Sequence, residues 1–157
     1  MITKFEVKNM YKKILFVTDG LENANKAIDK IIEFHEIWGS EIFVIHFLKH
    51  QIIIPFCYES NASKLHTYIQ QEFTQYEYGQ AILDTTEEKF HAAGIPVDLK
   101  LIVNEVPDEF IKKLVKKQNF DLVIIGIQGS RSKTRLKHDF SFSKKVIKKI
   151  PCDVLVL

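Results

Sequence analysis

The chain has 157 residues, 46% of them hydrophobic and 27% charged, with a formal net charge of +2. That is an ordinary globular composition and enough chain for one domain, residues 1–157, around a sizeable core. No apolar run approaches the ~18 residues that cross a bilayer, and the opening MITKFEVKNMYKK is too polar for a signal peptide, so neither membrane nor export is expected and a cytoplasmic location is predicted.

In chain order, KILFVT (Lys13 to Thr18) predicts a first strand. A helix follows with Ala24, Ala27, Ile28, Ile31, His35 and Trp38 on one stripe, stopped by Gly39. EIFVIHFL (Glu41 to Leu48) predicts a second strand. After it, QIIIPFCY (Gln51 to Tyr58) is apolar where a connection should be polar; it is either a lid or partner surface, or satellite core beneath the next helix. That helix is long and polar, about Ser63 to Ala93, and its Tyr68, Phe73, Tyr76, Tyr78 and Phe90 form no clean seam. VDLKLIV (Val97 to Val103) predicts a third strand. Pro107, Asp108 and Glu109 then open a helix, since a fixed φ and two carboxylates suit a helix N-terminus, with Phe110, Ile111, Leu114 and Val115 facing inward. DLVII (Asp121 to Ile125) predicts a fourth strand and leads into the loop GIQGSRSKTRLKHDFS (Gly126 to Ser141). A helix with Phe142, Val146, Ile147 and Ile150 opposite Lys144, Lys145, Lys148 and Lys149 precedes a last strand, DVLVL (Asp153 to Leu157).

Five β-rich runs separated by helices predict an α/β fold, a mostly parallel open sheet of five strands with helices on both faces. Ligands of such sheets bind beyond the carboxyl ends of the strands, where the strand order reverses. Asp19 and Gly126 stand at two such ends. Charge gathers nearby: Ser130 to Lys149 holds eight Lys or Arg against one acid, a net of +7, leaving −5 for the rest of the chain. The helical lysines read as a solvent face, so Arg131, Lys133, Arg135 and Lys137 remain as candidates for attracting a phosphorylated ligand or a nucleic acid.

Three stretches resemble the universal stress protein family, in the right order and across nearly the whole chain: YKKILFVTDG (Tyr11 to Gly20), DLVIIGIQG (Asp121 to Gly129) and VIKKIPCDVLVL (Val146 to Leu157). The resemblance implies the strand order 3-2-1-4-5 of an adenine nucleotide alpha hydrolase-like sheet, with Asp19 and Gly126 side by side. It also implies a nucleotide motif of Gly, two residues, Gly, nine residues, Gly, then Ser or Thr. Gly126 and Gly129 match the first half. The second half falls on Phe140 and Ser141, with ten residues intervening and Phe in place of Gly. Glycine matters there because helix N-terminal N–H groups bind anions best when no Cβ keeps the phosphate away.

The site implied by the resemblance comprises Val17, Thr18, Asp19 and Phe47 around the base. Ile125, Gly126 and Gly129 follow the fourth strand, and Phe140, Ser141 and Phe142 open the last helix. Such a degraded loop would bind AMP or ATP weakly, with the outer phosphates losing their landing place while Ser141 still offers a hydroxyl. Two alternatives stay open: the two glycines only shape a tight turn, and Asp19 is an N-cap of the first helix. Phe47 either narrows the adenine slot or stacks on the base.

No catalytic residues are predicted, because neither a Walker lysine nor a G-x-S-x-G elbow is present. The six histidines show no metal-ligand spacing, so no metal is expected. Cys57 and Cys152 read as buried thiols. No aromatic interleaves the basic loop before Phe140, which argues against nucleic acid as a partner. The short apolar terminal strand predicts a homodimer through Val154 to Leu157, as in similar family members. The leading functional reading is a cytoplasmic stress-response module with weak adenine-nucleotide binding and an unspecified protein partner. A dimeric interaction module without nucleotide is the alternative. A slow ATP hydrolase ranks last, for want of a positioned base or an arginine–metal constellation.

Overall fold

The computed structural model describes residues 10–48, 62–126 and 142–157. In order come β1 (Lys13–Thr18), α1 (Glu22–Trp38), β2 (Glu41–Phe47), α2 (Ala62–Ala92), β3 (Val97–Ile102), α3 (Pro107–Gln118), β4 (Leu122–Gly126) and β5 (Asp153–Val156). A fourth helix, α4, covers 142–149 between β4 and β5. The strands form one sheet in the order β3-β2-β1-β4-β5, with every pairing parallel.

The sheet separates two cores because successive strand residues point to opposite faces. Ile14, Phe16, Ile42, Val44, Leu122 and Ile124 face α1 and α2, meeting Ala24, Ala27, Ile28, Ile31, Leu83 and Phe90. Leu15, Val17, Ile45, Val123 and Ile125 face α3 and α4, meeting Ile111, Val115, Val146 and Ile150. Strands buried on both sides have no solvent face to encode, which is why β1 and β4 read as unbroken apolar runs.

The last helix differs from expectation at one position. Val146 and Ile150 are buried with Phe142 against them, but Ile147 is 51% exposed and Ser143 is buried instead. A step of ~100° per residue gathers 142, 143, 146 and 150 within an arc of about 100° and leaves 147 outside it, about 40° beyond 143. Cys152 is half-buried rather than fully enclosed, and that burial pushes its thiol up from the ordinary value.

At the amino edge of the sheet, Asp121 Oδ2 accepts the backbone N–H groups of Lys12 and Lys13, both at 2.9 Å. Tyr11, Phe34 and Trp38 form an aromatic cluster beside it, with Trp38 edge-on to Tyr11 at 5.1 Å and 84°. The Tyr11 hydroxyl donates to Asp153 Oδ2 at 2.8 Å, a bond that holds the phenol above its usual pKa. β5 pairs with β4 and is the edge strand, and the Leu157 N–H extends its ladder to the Ile125 carbonyl at 3.0 Å.

Candidate functional site

β1, β2 and β3 are laid down in one direction, and β4 returns to the other side of β1, so the order reverses between β1 and β4. Their register pairs Val17 with Ile125 and Thr18 with Gly126. The two predicted switch-point positions therefore stand at adjacent strand ends, where open parallel sheets take their ligands.

The turn leaving β1 is held by its own side chains. Thr18 Oγ1 accepts the Gly20 N–H at 3.1 Å, and Asp19 Oδ1 accepts the Leu21 N–H at 2.9 Å. Asp19 is thus not the N-cap of α1. Leu21 occupies that position without a side-chain cap bond, and the Asp19 carboxylate closes a tight turn ahead of it. Gly20 has φ +75°, and a Cβ there would lie 2.8 Å from Ile82 Cγ1, so both backbone conformation and the approach of α2 require glycine. His46, at the end of β2, has Nδ1 2.8 Å from the Thr18 carbonyl. A carbonyl only accepts, so this nitrogen carries the hydrogen, and the ring pins the last peptide of β1.

Gly126 has a packing reason that the motif does not reveal. A Cβ on it would lie 2.9 Å from Ala24 Cα, 3.1 Å from Phe16 Cε2 and 3.2 Å from Ala27 Cβ. The glycine lets α1 lie close on the end of β4. Neither a turn nor a phosphate is needed to account for it.

The remaining predicted residues divide. Val17, Phe47, Ile125 and Phe142 all belong to the core on the α3 and α4 side, with Val17 and Ile125 fully within it and Phe47 and Phe142 partly covered. Phe47 meets Phe110 edge to face, with centroids 5.8 Å apart and planes at 87°; this contact fixes the ring at the strand ends. Gly129, Phe140 and Ser141 lie outside the described residues, as do the basic run Arg131 to Lys137 and the apolar connection Gln51 to Tyr58.

α4 is anchored by an ion triad that the pattern of lysines does not disclose. Lys149 Nζ lies 2.5 Å from Asp108 Oδ2 and 2.5 Å from Glu109 Oε1. Lys149 hydrogen bonding holds the Asp108 and Glu109 carboxyls below the usual range, and the same bonds raise the ammonium. Two acids in the first turn of α3 and a lysine in the last turn of α4 also suit the dipoles of both helices. So Lys149 is a paired lysine. It joins the end of one helix to the start of another.

On the opposite face, a groove of about 300 Å³ opens between α1 and α2, lined by Thr18, Ala24, Ile28, Ile82 and Thr86, with Lys89 donating to Asn25 Oδ1 across it. No local motif marks it, because it arises only from how α2 is seated. Among the described residues no group of three or more His, Cys, Asp or Glu could hold a metal ion. None of the described helices is long and apolar enough to cross a membrane.

The chain matches the universal stress protein family over residues 10–157. It is 27% identical over 158 residues to Universal stress protein MJ0577 of Methanocaldococcus jannaschii, covering 94% of this chain and 95% of that protein. A solved structure of MJ0577 superposes with a TM-score of 0.66 over 94% of this chain and 96% of that one. Two further structures share the fold at lower identity. One is a universal stress protein in complex with cAMP, 17% identical, TM-score 0.60, covering 94% of this chain and 97% of that one. The other is a universal stress protein from Archaeoglobus fulgidus in complex with dAMP, 15% identical, TM-score 0.62, covering 94% and 98% respectively.

Proposed function

Because the chain belongs to the universal stress protein family, we propose that the switch point between β1 and β4 binds an adenine nucleotide, and that its altered phosphate loop favours AMP over ATP. The observation that carries this reading is the pairing of Thr18 with Gly126 at adjacent strand ends, beside the partly covered, edge-on Phe47. A flat base fits against such a ring. A carboxylate accepts more than one hydrogen bond, so an amino or ribose hydroxyl group can donate to Asp19 alongside the Leu21 N–H. Gly129, Ser141 and the start of the last helix at Phe142 receive the first phosphate, and Phe140 obstructs the outer ones. That two fold relatives are complexes with cAMP and dAMP, both carrying a single phosphate, supports a monophosphate ligand.

In this reading the protein is a cytoplasmic stress-response module whose occupied and empty states present different loops to a partner. It works as a homodimer through Val154 to Leu157, where β5 leaves one side unpaired among the described residues and Val156 is 43% exposed. The test is native mass spectrometry of the purified protein, followed by calorimetric titration of AMP and ATP. AMP is expected to bind at least as tightly as ATP. Failure of both to bind at millimolar concentration would favour the interaction module without nucleotide, and a strong preference for ATP would refute the obstructed loop.

A further inference from the structure

α2 is longer than the sheet on which it packs. Its 31 residues extend roughly 46 Å at ~1.5 Å per residue, whereas β2, with 7 residues, reaches only about 23 Å at ~3.3 Å per residue. The excess falls on one side. Every described side chain of α2 from His66 to Tyr78 is exposed, and burial begins at Gly79 and continues through Ile82, Leu83, Thr86 and Phe90. Gly79 marks the rim: a Cβ there would lie 2.6 Å from Leu48 Cδ2 and 3.0 Å from Leu101 Cδ1, at the carboxyl ends of β2 and β3. The first half of α2 therefore stands roughly 25 Å beyond the sheet.

A helix exposed all round should be polar, and this one carries a stripe. Ile69, Phe73 and Tyr76, at i, i+4 and i+7, are 57%, 62% and 50% exposed. The same line continues through exposed Gln80, Asp84 and Glu87. The face is apolar over the projecting half and acidic over the half that rests on the sheet. From Leu65 to Glu88 there are five acids and no Lys or Arg, in a chain whose net charge is +2.

We infer that this face is a docking surface for a cationic amphipathic helix of another protein. Such a helix lays its apolar stripe on Ile69, Phe73 and Tyr76 and its Lys or Arg residues on Asp84 and Glu87, with the charges setting its direction. The charge pattern chooses the occupant. Two copies of this helix laid side by side in parallel would bring like charges together, and an anionic lipid surface would be repelled. This site lies outside the nucleotide site and does not depend on it.

The probe is a fluorescein-labelled helical peptide of leucine and lysine, about 20 residues or ~30 Å long so that it reaches from Ile69 to Glu87, with its glutamate counterpart as control. Fluorescence anisotropy should show the cationic peptide binding at least tenfold more tightly than the anionic one. Phe73→Gln with Tyr76→Gln should weaken binding at least tenfold. Asp84→Asn with Glu87→Gln should weaken it and flatten its dependence on salt. Equal binding of the two peptides, or unchanged binding by both variants, overturns the inference. So does a Phe73→Gln, Tyr76→Gln protein that melts several degrees lower without any peptide, since the stripe is then covered by the chain itself. If that variant instead converts a dimer to a monomer in sedimentation, the occupant is a second copy and the inference is equally lost.

Discussion

Replacing Gly126 by alanine separates packing from ligand binding as the reason for glycine at the end of β4. The new Cβ would meet the Ala24 α-carbon at 2.9 Å, closer than real Cβ atoms come. Ala24 belongs to a helix seated by buried Ala27, Ile28 and Ile31, so α1 must shift as a body. Overpacking of this kind costs about 1–3 kcal/mol. The loss of glycine's freedom in the unfolded chain returns about 0.4–1 kcal/mol. A net destabilisation of about 1–2 kcal/mol is expected, which lowers the melting temperature of a domain this size by about 2–8 °C. Circular dichroism followed through thermal and urea unfolding reads both quantities, and an unchanged m-value would show that stability alone has moved. Calorimetry with AMP runs beside it. A melting temperature equal to or above that of the original protein, together with lost AMP binding, would refute the packing account and assign the glycine to the ligand.

Phe140→Gly combined with deletion of one residue between Ser130 and Asp139 should restore the spacing of the nucleotide motif, and titration should show ATP gaining about tenfold for each ~1.4 kcal/mol recovered while AMP changes less; Phe140→Gly alone should do less. Lys149→Met tests the triad through pH. Because the Asp108 and Glu109 carboxyls are held low in the fold, their contribution is present above about pH 4 and lost as pH falls through the lowered values. The raised lysine contributes fully at neutral pH and is lost only above its ordinary range. The gap in melting temperature between original and variant should therefore be widest near neutrality and narrow below about pH 4, and a gap independent of pH would contradict the triad's role. Val156→Lys places a charge on the exposed edge of β5 and should give a monomer in sedimentation velocity while changing stability by no more than about 0.5 kcal/mol.

Most of the fold was legible because its cause is local. Short apolar runs, interrupted in β3 by Asp98 and Lys100 at alternate positions, gave all five strands, with bounds that differ from the structure by no more than a residue at the ends. The stripe of α1 and the Pro107 start of α3 were equally plain. What was not legible depends on partners distant in sequence. Lys149 looks like its neighbours until α3 places Asp108 and Glu109 beside it. The packing role of Gly126 is invisible until α1 lies on β4, and Asp19 reads as a cap until the chain path puts Leu21 in that position. Ile147 follows Val146 in an apolar pair, and only the buried arc set by Phe142, Ser143, Val146 and Ile150 leaves it outside. His46 gave no signal for its bond to the Thr18 carbonyl, since that contact is made across strands.

Trp38 is the chain's single tryptophan, and its surroundings make it an optical reporter of one event. It packs on Tyr11, whose hydroxyl reaches the first residue of β5, so its emission senses whether the terminal strand is seated at the amino edge. The switch point lies at the other end of the strands, roughly 20 Å away. Nucleotide binding should leave this fluorescence silent, whereas anything that lifts or re-pairs the head of β5 alters the Tyr11 contact and changes it. Unlabelled protein can therefore have the movement of its edge strand followed while its ligand is titrated, with the two signals never sharing a chromophore.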